Sequence, residues 1–272
     1  MDFLPHITLA IGVFVGILMG LTGAGGGILS VPLLVFFLHL PVSEAGPIAL
    51  SAITISASVG AMIGFKAGAL RYKAASLMAL FGLLLSPLGL WLAQKTPNTP
   101  LLILFSLVLM YVSIRMLLKV ARTLSGKPIQ SAKAPPCQLD LSIGKLIWTA
   151  PCARALMLAG ASAGFLSGLL GVGGGFILVP ALNKFTDLPM KSIVATSLGV
   201  LAIVSAGGAF ISLASGTLNV GIALPFSIGS LLGLLFGKFL EKKISGPRVQ
   251  QIFAVFTLII AMSLFVKAFN HV

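Results

Sequence analysis

The chain has 272 residues, 58% of them hydrophobic and only 8% charged, with a mean hydropathy of +1.12. An ordinary soluble domain carries about a quarter charged residues, so a soluble globule is excluded and the solvent for most of this chain is expected to be lipid. The net charge of +13 does not point to nucleic acid. The Lys and Arg residues fall in the connections between apolar segments, where membrane proteins use them as an orientation signal.

In chain order, apolar segments are expected at 7–22, 28–40, 43–65, 74–93 and 101–119, then at 155–170, 175–186, 192–213, 220–240 and 249–267. The first has no basic residue ahead of it and reads as a mature helix, not a signal peptide. Several approach the roughly 20 residues that cross a bilayer as helix, while the second segment of each set is short for that task. Between the sets lies the one stretch of loop composition, with TLSGKPIQSAKAPPCQLD in its middle. The chain therefore divides into a membrane unit at 1–119, a basic linker at 120–150 and a second membrane unit at 151–272. Cys137 and Cys152 lie in or beside this linker. Without a CxxC pair or a Cys/His cluster, neither a disulfide nor a metal site is expected.

The two units are copies. GLTGAGGGILSVP at 20–32 returns as GLLGVGGGFILVP at 168–180, and the offset of 148 holds for about a hundred residues, pairing Pro41 with Pro189, Gly60 with Gly208 and Gly89 with Gly237. Charge decides how the copies are oriented. If each Gly-interrupted pair of segments enters and leaves on one side, sixteen of the eighteen basic residues share a face and only Lys95 and Lys267 lie opposite. The positive-inside rule favours that arrangement, which makes the copies antiparallel, the linker cytoplasmic and both termini external. The expected fold is an all-α polytopic membrane protein of two inverted-topology repeats, each with a Gly-broken first helix pair and three full spans, about eight to ten transmembrane segments in total.

Gly12, Gly16 and Gly20, with their copies Gly160, Gly164 and Gly168, stand at GxxxGxxxG spacing. They line one helix face for close contact with another helix and are assigned no ligand. The runs that follow differ in kind. Gly23, Gly25, Gly26 and Gly27, and Gly171, Gly173, Gly174 and Gly175, weaken a helix by nearly 1 kcal/mol each. A break is expected, tolerated at membrane depth only where protein or a water-filled cavity covers it. A helix restarting there presents unpaired N–H groups and the positive end of its dipole, a seat for an anion. A tight backbone crossing without substrate is the competing reading of the same glycines.

Thr22, Ser51, Thr54, Thr196 and Ser197, with Asn183, are the other candidate substrate contacts. Hydroxyls of this kind also bond back to their own helix carbonyls. The acidic residues Asp2, Glu44, Asp140, Asp187 and Glu241, and the three histidines, fall at segment ends or in loops. No proton relay, sodium ligand, catalytic base or cofactor site is therefore expected, and an intramembrane enzyme ranks last.

The paired GLxGxGGGxxxVP element, followed in each copy by a Leu-Pro turn and a Ser/Thr/Ala-rich helix, resembles the sulfite exporter TauE/SafE family of membrane permeases. Ala195-Thr196-Ser197-Leu198 follows the family's run, whereas Ile48-Ala49-Leu50-Ser51 departs from it. The resemblance covers nearly the whole chain apart from the linker. It implies transport, often export, of small sulfur-containing or organic anions such as sulfite, sulfonates or sulfoacetate across the bacterial inner membrane. The partners expected are a small anion and the bilayer, with no nucleic acid; homo-oligomer formation is left open. An anion channel of the same fold and a non-transporting membrane scaffold are the alternatives.

Overall fold

In the computed structural model the described residues are 3–22, 27–124, 135–140, 145–244 and 247–270. They form ten helices, α1 Phe3–Thr22, α2 Ser30–Phe37, α3 Val42–Lys66, α4 Tyr72–Lys95, α5 Asn98–Leu124, α6 Ala150–Leu170, α7 Gly175–Phe185, α8 Met190–Ala214, α9 Val220–Ile244 and α10 Pro247–Asn270. Eight are long and apolar enough to cross a membrane; α2 and α7 are the short exceptions. Their faces carry exposed large side chains such as Leu158, Phe210 and Ile252, the surface a lipid-facing protein presents. Pro41 and Pro189 sit at the N-caps of α3 and α8 with φ of −65° and −63°, where a missing N–H costs nothing and the fixed φ starts the next helix.

Equivalent helices of the two halves occupy equivalent places. α3 and α8 form the central pair, packed on each other: 61% of the α8 span and half of the α3 span are buried, as is half of α6, against 33% for α1, α5 and α10. Cβ atoms built on Gly208, Gly60 and Gly64 would meet Leu50, Leu198 and Ala195, so residue numbers fall on one helix as they rise on the other and α3 and α8 run antiparallel. α5 lies on its own copy, α10.

The glycine ladders do what their spacing promises, but across halves. Gly12, Gly16 and Gly20 of α1 lie on the backbone at Phe226, Ser230 and Leu234 of α9. Gly160, Gly164 and Gly168 of α6 lie on Met78, Gly82 and Ser86 of α4, the same contacts shifted by the repeat offset in each chain segment. Side chains gain little by burying apolar surface away from lipid, so van der Waals contact between close backbones has to hold these pairs together.

Basic residues collect at one end of the bundle. The Arg71 N–H donates to Thr196 Oγ1 at 3.1 Å and Lys238 Nζ donates to the Gly60 carbonyl at 3.2 Å, which puts the α3–α4 turn, the start of α8 and the end of α9 together. At the other end the Val42 N–H donates to Asn98 Oδ1 at 3.0 Å and Lys267 Nζ to the Val35 carbonyl at 3.1 Å.

One expectation fails. Cys137 and Cys152 form a disulfide and both are fully buried. A two-residue hairpin, Leu139–Asp140 paired with Lys145–Leu146, turns the chain back on itself. That brings the two Cα atoms to 4.9 Å despite a separation of 15 residues, a distance at which bridging is easy. The Cys137 N–H also donates to the Phe185 carbonyl at 3.0 Å, so the bridge ties the start of α6 to the end of α7.

Candidate functional site

The second glycine run is a turn that only glycine could make. Gly171 caps the end of α6 at φ +69°, Gly173 follows at +71°, and Gly174 is the N-cap of α7 at +66°. These are left-handed conformations that a Cβ disfavours. Space forbids a side chain as well: a Cβ on Gly171 would strike the backbone of Gly46 in α3, and one on Gly174 the Ala163 carbonyl in α6. Gly171 is thus a close backbone contact between the halves, and Gly174 one within its own half. The turn nonetheless restarts a helix inside the protein, beside buried Val172 and Phe176. Bonding within α7 begins with the Ile177 and Leu178 N–H groups, which donate to the Gly174 carbonyl at 3.0 and 3.3 Å. The N–H groups of Gly175 and Phe176 precede it, as the first donors of any helix must.

Of the first run, Gly23, Gly25 and Gly26 lie outside the described residues, and Gly27 opens a short tight turn that leads into α2. The two breaks meet. Cβ atoms built on Gly27 and on Gly173 would each lie 3.2 Å from the same atom, Ile53 Cδ1, and the Gly27 Cβ 3.6 Å from the Val172 carbonyl oxygen. Leu201, the repeat partner of Ile53, stands 3.0 Å from the Gly173 position. Buried Ile53 of α3 thus lies against both breaks, and buried Leu201 of α8 against the second.

The hydroxyl candidates are engaged elsewhere. Thr22, Ser51, Thr54 and Ser197 donate to the carbonyls of Leu18, Ile48, Leu50 and Val194 at 2.6, 2.7, 2.7 and 2.9 Å, and Thr196 accepts from Arg71 at the basic end. Asn183 is exposed on α7 with its amide 3.6 Å from Met190 Sδ, away from the breaks.

Sequence reasoning missed four serines. Ser30, Ser86, Ser167 and Ser205 are buried, and their Oγ atoms have no hydrogen-bond partner among the described residues. Ser30 opens α2 just past Gly27, and Ser167 lies in the last turn of α6, its carbonyl accepting the Gly171 N–H at 2.8 Å. An unpaired buried hydroxyl costs about 1–3 kcal/mol, so its persistence beside a break calls for an explanation. Ser30 stands inside the duplicated element, and Ser167 immediately precedes its second copy. What marks them is burial without a partner, which composition and spacing do not carry.

The profile of the family described as Sulfite exporter TauE/SafE matches residues 8–264. The chain belongs to this family. TauE/SafE proteins are membrane transporters, and the curated relatives carry that description over nearly their full length. A "Probable membrane transporter protein" of Xylella fastidiosa (strain Temecula1) is 29% identical over 94% of this chain and 93% of its own. One from Methanocaldococcus jannaschii is 27% identical over 88% and 85%, and YunE of Bacillus subtilis, also described as a probable membrane transporter, 25% over 95% and 96%. No solved structure matches. This TauE/SafE chain is accordingly a multi-pass membrane transporter, and the described parts of its duplicated motif lie against each other where the two halves meet.

Proposed function

We propose that this transporter carries small sulfur-containing or organic anions, such as sulfite, sulfonates or sulfoacetate, by alternating access, and that it works as an exporter. The observation that carries the reading is the meeting of the two glycine breaks around Ile53 and Leu201. Two restarting helices directed at one place provide N–H donors and positive dipole ends where an anion needs them, and Ser30 and Ser167 add hydroxyl donors beside the breaks. The antiparallel course of α3 and α8 and the exchange of glycine contacts between halves support inverted repeats, so that rocking one half against the other opens the site to either side in turn.

An anion channel built on the same half-helices is the competing reading. Proteoliposomes separate them: radiolabelled sulfite outside should enter faster when unlabelled sulfite is trapped inside, because a carrier returns loaded. Flux indifferent to internal anion would mean a channel, and flux equal to empty liposomes would end the transport reading for this anion.

The basic end is assigned to the cytoplasm of the bacterial inner membrane by the positive-inside rule. That orientation places the Cys137–Cys152 pair in a compartment that keeps most thiols reduced, so in cells the pair is expected as a dithiol that closes on extraction. A single cysteine at Ser131, in a Cys137→Ser, Cys152→Ser background, should be shielded from impermeant maleimide in intact cells. One at Ser215, exposed after α8, should react. The reverse pattern, with the native bridge intact in cells, would turn the molecule over.

A further inference from the structure

At the end of the bundle that holds few charges, a cavity of about 450 Å³ opens between the end of α2, the starts of α3 and α5, and α10. It lies apart from the glycine breaks. Its lining includes Lys267, His39 and Asn98 among apolar neighbours such as Pro41 and Leu102 and, among the described residues, no carboxylate.

The hydrogen-bonding balance of this lining is one-sided. The Val35 carbonyl already accepts from Lys267 Nζ, and Asn98 Oδ1 already accepts from the Val42 N–H. That second bond fixes the amide orientation of Asn98, since only its oxygen can receive a backbone N–H, and leaves the NH₂ group to donate. Lys267 keeps further ammonium protons after its bond to Val35, and the His39 ring supplies another N–H. α3 and α5 both begin at the cavity, adding the positive ends of two helix dipoles. His39 holds a left-handed backbone at φ 56°, a conformation that costs a non-glycine residue free energy unless its surroundings or its role require it. At the position repeat-equivalent to His39 stands Asp187, whose negative charge suits no such site.

We propose that this cavity is a binding site for a small oxyanion, sulfate-like or phosphate-like, held by Lys267, His39 and Asn98. The same chemistry describes a free anion gathered before entry to the transport path and the phosphate of a lipid headgroup.

The test reads lysine acylation on the full-length protein purified in a maltoside free of phospholipid. Inorganic sulfate should protect Lys267 saturably from an amine-reactive ester, while Lys95, at the same end of the bundle, stays reactive; mass spectrometry scores both. His39→Ala should raise the sulfate concentration for half-protection about tenfold, the loss of one charge-assisted contact. Protection that persists when phosphatidylglycerol is added assigns the site to the free anion. If phosphatidylglycerol alone already protects Lys267 and sulfate adds nothing, the occupant is the headgroup. The site is overturned if sulfate protects Lys267 no better than chloride does, if Lys95 is protected in parallel, or if His39→Ala leaves the half-protection concentration unchanged. None of these readouts depends on transport, so they stand or fall separately from the flux measurement.

Discussion

Gly164→Val should abolish accumulation of the folded transporter. A Cβ at Gly164 would run into the backbone of Gly82, where α6 and α4 touch glycine to glycine, and flanking contacts at Gly160 and Gly168 press on Met78 and Ser86 just as closely. Nothing flexible can give way, because the obstacles are carbonyl and Cα atoms of a helix. Separating the helices by even an ångström or two forfeits dispersion along more than two turns, and in lipid no hydrophobic gain compensates. A loss of roughly 3 kcal/mol or more, the overpacking range at its upper end, is expected. Size-exclusion profiles in detergent would report it as aggregate or absent protein. The repeat partner Gly16→Val should behave alike through Ser230 of α9, whereas Gly68, whose Cβ position meets nothing within 4 Å but whose φ is +67°, should tolerate Asn with little loss.

The second large effect concerns the anion itself, and it cannot be read from the glycines. Gly174→Val would meet the Ala163 carbonyl and a left-handed φ, so its loss of flux would report a damaged fold as readily as a damaged site. Ser30→Ala and Ser167→Ala avoid the difficulty. Each removes one buried oxygen that has no partner among the described residues, so the folded protein should be as stable or somewhat more so, by up to about 1 kcal/mol. Sulfite affinity should fall, by about tenfold for each hydroxyl that donates to the bound anion, since hydrogen bonds to charged groups contribute roughly 1.5–3 kcal/mol. Thermal midpoints and calorimetric binding on the same preparations make the comparison. If both variants bind sulfite as tightly as the parent, the serines have no part in the site.

Much of this architecture is legible in the sequence. Apolar length marked every spanning helix, the offset of 148 residues marked the repeat, and GxxxGxxxG spacing marked a close-contact face, because each of these follows from local pattern. Partner choice was not legible. The ladder on α1 lies against α9 rather than a helix of its own half, and nothing in a single segment names the surface it will meet. The disulfide was missed for a related reason: 15 residues of polar linker give no sign that a hairpin will return Cys137 to Cys152. At the breaks the glycine runs were visible, but their division of labour was not. Gly171 and Gly174 serve backbone geometry and contact, and the buried hydroxyls beside the breaks that lack partners among the described residues belong to serines that resemble any others in the chain.

The central claim, that an anion rests between the two glycine breaks, is tested most directly by locating a heavy anion. Crystals grown or soaked with selenite, a heavier analogue of sulfite, would give an anomalous difference map. A peak is expected beside the N–H groups of Gly175 and Phe176, within reach of Ser30 or Ser167, with Ile53 and Leu201 displaced to admit it. Selenite bound at other places, with none at the breaks in protein that transports sulfite, would contradict it.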